Sequence, residues 1–219
     1  MKDANFPQPV RIDIVSDVVC PWCIVGYRQL SQALAQTGVQ ADVKWHPFEL
    51  NPDMPPEGQN LREHLIEKYA ITPEQSVSAR AQLTALGADL GIVFNFSDDS
   101  RMVNTFLAHQ LIEWADDQGR QTDMKLALFK AHFSDGRNVS DLATLVEIAA
   151  GLGLDAGAAR VALEGETMAW NVRSMQTFWT DKGVRGVPAM VFGGKHLLTG
   201  AQGVETYVKM LGRLGETTT

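Results

Sequence analysis

Residues 10–27 read Val10-Arg11-Ile12-Asp13-Ile14-Val15-Ser16-Asp17-Val18-Val19-Cys20-Pro21-Trp22-Cys23-Ile24-Val25-Gly26-Tyr27, and two structural periods meet inside them. Up to Ser16 apolar β-branched residues alternate with polar ones, the period-two pattern of a strand. From Pro21 the apolar positions fall at Ile24, Tyr27, Leu30 and Leu34, the three-to-four-residue period of a helix. Its opening proline sits where a missing N–H does no harm. A Cys-x-x-Cys pair thus opens a helix directly behind a strand. Gly38 closes that helix, and Val39, Ala41, Val43 and Trp45 alternate with Gln40, Asp42, Lys44 and His46 as a second strand. A β-α-β unit of this kind favours parallel strands with a right-handed crossover.

The unpaired N–H groups and partial positive charge of a helix N-terminus stabilise a thiolate, the form of cysteine that attacks disulfides. Cys20 stands at that position. Cys23, one turn further in, is close enough to resolve a mixed disulfide on Cys20, so the pair can exchange two electrons without a cofactor. Pro21 and Trp22 shape the turn and set an aromatic surface beside the sulfur without adding charge. Three other readings of the pair exist: a metal clip, a structural disulfide, or two buried thiols. A zinc site needs two more ligands, and the histidines at 46, 64, 109, 132 and 196 show no paired ligand spacing, so no metal is expected. A structural disulfide across so short a loop restricts the unfolded chain little and is unusual in the cytosol.

Beyond a proline-rich loop at 51–58 the pattern stays helical for roughly a hundred residues. Leu61, Leu65, Ile66 and Tyr69 mark one helix. Thr72-Pro73-Glu74-Gln75 supplies an N-cap, a first-position proline and a reciprocal cap for a second, closed by Gly91. An apolar face from Met102 through Phe106, Leu107 and Leu111 to Trp114 stops at Gly119, and residues 126–133 and 142–152 make two more helices, the last bracketed by Ser140 and Gly153. After Gly165, Met168, Val172, Met175 and Trp179 share a helix face, and only past Gly183 do strand signals return. Residues 187–192 form a strand, Gly193-Gly194 a hairpin turn, 195–199 the returning strand, and 204–214 a final amphipathic helix before a frayed tail at 215–219. The strands of the two ends must share one sheet, because a two-stranded unit is too small to hold its own core. This predicts a discontinuous α/β domain, 8–55 with 166–215, around a helical insertion at 56–165.

The chain has 219 residues, 45% hydrophobic and 21% charged, as in a globular protein. Its 19 basic against 26 acidic residues leave a net charge of −7 with no continuous basic surface, so nucleic acid is not an expected partner. Residues 1–11 carry Lys2, Asp3, Asn5 and two prolines rather than the apolar core of a secretory signal, and no later run approaches a membrane span. The expectation is a cytoplasmic protein with no membrane partner.

A second feature joins the cysteines. Gly186-Val187-Pro188-Ala189 puts proline at the first residue of a strand, and an X-Pro bond there is either trans, the usual case, or cis. A strand followed by CxxC on a helix, with a late Val-Pro ahead of a hairpin and terminal helix, resembles the thioredoxin superfamily. The insertion, with Asp17-Val18-Val19-Cys20-Pro21-Trp22-Cys23, Gly26, Pro47-Phe48-Glu49-Leu50-Asn51-Pro52, Asn104-Thr105, Ala108-His109 and Gly200-Ala201-Gln202, resembles DsbA-family oxidoreductases, and more closely their FrnE-like cytoplasmic branch. The resemblance runs from about residue 10 to 214. It implies an α/β, thioredoxin-like fold: a mixed central sheet, β-α-β then α-β-β-α, with a large all-helical insertion. It also implies a thiol-disulfide oxidoreductase or isomerase acting on protein or glutathione disulfides, with no required cofactor and glutathione as a candidate co-substrate. By the same resemblance Cys20 attacks and Cys23 resolves, Val187-Pro188 is cis and packs against them, and the Val187 backbone pairs with the substrate like an added strand.

Kappa-class glutathione transferases and 2-hydroxychromene-2-carboxylate isomerases share the insertion but carry serine at the nucleophile position and Asp-Arg after the last-strand glycine. This chain has Cys20 and Ala201-Gln202 there. A glutathione-dependent transferase or isomerase is the alternative function, since fold alone does not fix activity.

Glu49 and Asn51 follow the second strand at the sheet end where ligands gather, and are candidate substrate contacts. His46 and His109 read as packed or hydrogen-bonded histidines rather than proton relays. Trp114, Trp170 and Trp179 read as core. Asn138-Val139-Ser140 matches a glycosylation acceptor but reads as a helix cap.

Overall fold

The computed structural model describes residues 8–55 and 57–216. Alternating valine and isoleucine make β1 (Val10–Ser16), and α1 (Pro21–Thr37) follows, ending where Gly38 takes φ 70° and donates its N–H to the Leu34 carbonyl at 2.9 Å. β2 (Ala41–Pro47) begins two residues later than the alternation starts at Val39. β3 (Gln59–Asn60) and α2 (Leu61–Tyr69) open the insertion, and α3 (Pro73–Asp89) starts in the expected reciprocal cap: Thr72 Oγ1 accepts from the Gln75 N–H, and Gln75 Oε1 from the Thr72 N–H at 2.8 Å.

Then come β4 (Arg101–Met102), α4 (Phe106–Asp116), α5 (Gln121–Phe133), α6 (Leu142–Gly151), α7 (Ala156–Glu164) and α8 (Ala169–Asp181). The chain ends with β5 (Ala189–Phe192), β6 (His196–Thr199) and α9 (Val204–Glu216). The tail expected at 215–219 lies beyond the described residues from 217 on.

Several boundaries differ from the sequence reading, each for a local reason. Met102 pairs with Gln59 in a small antiparallel ribbon instead of opening α4, so the insertion is not purely helical. Asn104 Oδ1 accepts the Phe106 N–H at 2.9 Å and starts that helix instead. α5 begins at Gln121, five residues before its apolar run becomes dense. Asp141, not Ser140, caps α6, while Asn138 Oδ1 folds a short turn onto the Ser140 N–H at 3.0 Å. α7 carries no periodic apolar signal in the sequence, because its inner face is Ala159, Ala162 and Leu163: small residues give helix propensity without apolar periodicity. Trp170 is 77% exposed and not core, because it lies about 200° around α8 from Val172, which faces inward.

The main sheet runs β2-β1-β5-β6, so strands from both chain ends do share it. β1 pairs parallel with β2, Val10 opposite Ala41 through Ser16 opposite Pro47, and antiparallel with β5, Ile12 opposite Phe192 through Val15 opposite Ala189. At the hairpin, Gly193 and Gly194 take φ 56° and 68°, and β6 pairs from His196 rather than Lys195. One core cluster joins Ile12, Ile14, Leu30, Trp45, Met190, Phe192 and Tyr207 of the α/β part to Leu83, Phe94, Phe129 and Phe133 of the insertion. A second joins Val18 and Val19, just ahead of the cysteines, to Leu111, Leu128 and Leu145. Each such side chain contributes about 1.5–3 kcal/mol on burial. The segment bearing the cysteines is therefore held from both sides.

Candidate active site

β1 ends at Ser16, and the chain turns through Asp17, Val18 and Val19 to set Cys20 at the N-cap of α1 with φ −92° and ψ 109°. The Cys20 N–H bonds the Asp17 carbonyl at 3.3 Å and the Cys23 N–H bonds the Cys20 carbonyl at 3.1 Å, which fixes the pair one turn apart. Pro21 occupies the first helical position, no side chain caps the helix, and no acidic residue stands in its first turn. Both cysteines are free thiols, Cys20 4% exposed and Cys23 fully buried. Trp22 between them is 47% exposed.

The late strand closes over this turn. The Cys20 thiol donates to the Val187 carbonyl at 3.6 Å, across 167 residues of sequence. The Val187-Pro188 bond is cis, and Pro188 is buried. Gly26 marks the closest approach of α1 to this strand, since a Cβ there would lie 3.2 Å from Met190 Cε and 3.4 Å from Pro188 Cγ. Cys20, Cys23, Pro21, Trp22, Val187 and Pro188 are thus brought together.

Glu49 and Asn51 flank Leu50, whose N–H reaches Asp17, and their side chains bond to helices. The Glu49 side chain is buried and accepts from Arg173 and, at 3.0 Å, from Gln176 Nε2, both on α8, while the Arg173 guanidinium lies 3.8 Å over Phe106. Asn51 Oδ1 accepts from Lys68 Nζ at 2.6 Å, and the same ammonium bonds the Leu50 carbonyl. Each ties a loop to a helix.

A buried charge cluster lies beneath the cysteines. Asp17 Oδ2 accepts the Leu50 N–H at 2.7 Å, and Oδ1 lies 3.3 Å from His109 Nε2, which itself donates to the Phe48 carbonyl at 3.2 Å. Burial works against the Asp17 carboxylate, but His109, the Leu50 N–H and Lys125 together hold it below the usual range. Lys125 is 1% exposed and donates to the Ser16 carbonyl at 3.3 Å. His46 belongs to another cluster: its Nε2 is 2.7 Å from Asp13 Oδ1 and its ring packs on Trp179 at 4.9 Å. Both histidines are packed and partnered, as their sequence context suggests.

Each of the two thiols shifts the titration of the other. The hydrogen bond to Cys23, together with burial, pushes the Cys20 thiol well above its ordinary range. For Cys23 burial works the same way, but the Cys20 hydrogen bond, Lys125 and Ser16 outweigh it and bring this thiol down. Cys20, at the cap, is the less buried of the two.

Sequence reasoning passed over Lys125. A signal existed: Gln121, Lys125 and Leu128 fall on one helix face, so the periodicity itself puts a lysine in the core.

Beside Val19 and Pro21 opens a cavity of about 360 Å³ between α2, α3 and the end of α5, with Leu65, Arg80, Phe96, Met102 and His132 in its wall. Burial pushes His132 down to about 4. Unfolded, the ring takes its proton near 6.5, so stability present above that pH is lost as pH falls toward 4. His132→Gln should escape this loss: between those pH values the wild type should weaken by on the order of 2 kcal/mol more than the variant. Urea midpoints measured across the range check this, and parallel curves would contradict it.

Among the described residues no group of three His, Cys, Asp or Glu is placed to hold a metal, and no helix is long and apolar enough to cross a membrane.

The DSBA-like thioredoxin domain model matches residues 11–212. A probable DsbA oxidoreductase from Streptomyces coelicolor is 31% identical, with a TM-score of 0.87 over 93% of this chain and 89% of its own. The cytosolic disulfide reductase DsbM from Pseudomonas aeruginosa is 19% identical, with a TM-score of 0.65 over 93% and 98%. A 2-hydroxychromene-2-carboxylate isomerase is 14% identical, with a TM-score of 0.69 over 95% and 97%. The last two share the fold.

Proposed function

The chain belongs to the DsbA-like thioredoxin domain family, and from that premise we propose that it is a thiol-disulfide oxidoreductase or isomerase acting through Cys20 and Cys23 on protein or glutathione disulfides. The observation that carries this reading is the placement of Cys20 at the uncapped start of α1 with Cys23 one turn behind it and the Val187 carbonyl 3.6 Å from its sulfur.

The Cys20 thiolate attacks one sulfur of a substrate disulfide, forms a mixed disulfide and expels the other sulfur as thiolate, which takes a proton. Cys23 then gives up its proton and attacks Cys20, releasing the second substrate thiol and leaving a Cys20–Cys23 disulfide. The reverse sequence oxidises a dithiol. Val187, at the entry of β5, pairs its main chain with an extended substrate, which aligns the sulfur without reading side chains. Trp22 offers the substrate an apolar face, and the cavity beside Pro21 receives the group next to the reacting sulfur. Glutathione serves as one such substrate and no cofactor is needed. We read the compartment as the cytoplasm: the two cysteines both lie in the exchange site, leaving none for a structural disulfide of the kind oxidising compartments favour.

Equilibration in glutathione buffers, with trapped thiols followed by mass, tests this. The expected result is one reversible two-electron transition. A midpoint near about −270 mV marks a thioredoxin-like reductant and one near about −120 mV a DsbA-like oxidant. Two thiols unchanged across the series would remove the reading and leave glutathione-dependent transfer or isomerisation.

A further inference from the structure

Lys125 has no role in the exchange just described, yet its position is expensive. Taking an ammonium out of water costs several kcal/mol unless charge compensates it. Its one hydrogen bond goes to the Ser16 carbonyl at 3.3 Å, and its Nζ lies 5.1 Å from the Phe129 ring centroid and 5.5 Å from that of Trp45. Among the described residues it forms no salt bridge. The ionisable groups that bear on it are Cys23 and Cys20 on α1 and Asp17 at the end of β1. Around these stand His109 on α4, which faces Asp17, and Tyr207 on α9, which senses Cys23. Asp17 already spends one oxygen on Leu50 and repels the Cys20 thiolate. Two negative charges can therefore compensate Lys125: the Asp17 carboxylate, present in both redox states, and the thiolate, present only in the reduced one.

We propose that Lys125 is the buried counter-cation of the Cys20–Cys23 pair, a positioning residue that stabilises the thiolate of the reduced pair and loses this partner when the disulfide closes. This rests on the exchange reading above. The ammonium favours the reduced state, because the disulfide carries no charge to offset it. Reduction by two glutathione molecules breaks the Cys20–Cys23 bond and forms one glutathione disulfide. Of the two thiol protons one stays on the pair and one is released, because a pair beside a cation is held as one thiol and one thiolate. Burial brings Lys125 down to about 8, against the upward pull of Cys23, Asp17 and Cys20.

The test is the glutathione equilibrium of the full chain with Lys125→Met, which keeps an unbranched buried side chain and removes the charge. The equilibrium constant for oxidation by glutathione disulfide should rise about tenfold, a midpoint more negative by about 30 mV, and alkylation of the thiolate at acidic pH should slow. Lys125→Arg should restore the wild-type constant. Should the methionine variant fail to fold, the wild type still answers: the Lys125 amine, followed by NMR, should titrate at lower pH in the disulfide form than in the dithiol. An unchanged constant in a folded Lys125→Met protein, or the same lysine titration in both redox forms, overturns the assignment while leaving the oxidoreductase reading intact. A wild type that never exchanges with glutathione removes both.

Discussion

Cys20→Ser should lose thiol-disulfide exchange down to the uncatalysed background, while Cys23→Ser should accumulate a stable mixed disulfide on Cys20. The asymmetry follows from position. Cys20 sits at the N-cap of α1 and is the sulfur within reach of Val187 and of an incoming chain, whereas Cys23 is fully buried one turn behind. A serine hydroxyl at 20 cannot attack a disulfide, so no later step begins. A serine at 23 leaves attack in place but removes the thiol that expels the substrate, so the covalent complex persists. Intact mass after exposure to glutathione disulfide reads both outcomes: one added glutathionyl group on Cys23→Ser and none on Cys20→Ser. Equal, undiminished turnover in the two variants would defeat the assignment. A glutathione-dependent transferase would instead tolerate the loss of Cys23.

The second large effect is structural. Trp45→Ala should cost about 3–5 kcal/mol in urea unfolding, with a single transition for the whole chain. Trp45 is 2% exposed on β2 and packs on Tyr27 of α1 at 5.0 Å and Phe129 of α5 at 6.2 Å. Its indole N–H donates to Thr122 Oγ1 at 3.0 Å, and its main chain exchanges hydrogen bonds with the Gln121 amide at 2.9 and 3.2 Å. Truncation therefore opens a cavity and removes the hydrogen bond to the half-buried Thr122 at the seam between sheet and insertion. A loss under about 1 kcal/mol would mean that the ring does not fill this core. Two separated transitions would mean that sheet and insertion unfold independently despite their shared cluster.

What the chain's order made legible is local. The alternation of 10–16, the Thr72–Gln75 cap, Gly38 and the Gly193-Gly194 turn each depend on residues a few positions apart, and each stands in the structure at or within a residue or two of its expected place. The small-residue helix Ala156–Glu164 and the ribbon of Gln59 with Met102 carried no such signal, the first for want of large apolar residues and the second because its partners are some forty positions apart.

The site divides in the same way. The sequence by itself determined that two thiols open a helix behind a strand, because helix start, spacing and residue chemistry are all written within residues 16–24. Only the tertiary structure decided that the Val187 carbonyl meets Cys20, that Glu49 is tied to Arg173 on α8, and that Asp17, His109 and Lys125 gather beneath the pair. The physical reason is separation: these groups come from β1, α4, α5, α8 and the entry of β5, and they meet only once the sheet is closed and the insertion is packed against it. Charge at the sulfurs is set by burial and by neighbours a few ångströms away, and neither quantity exists until the chain is folded.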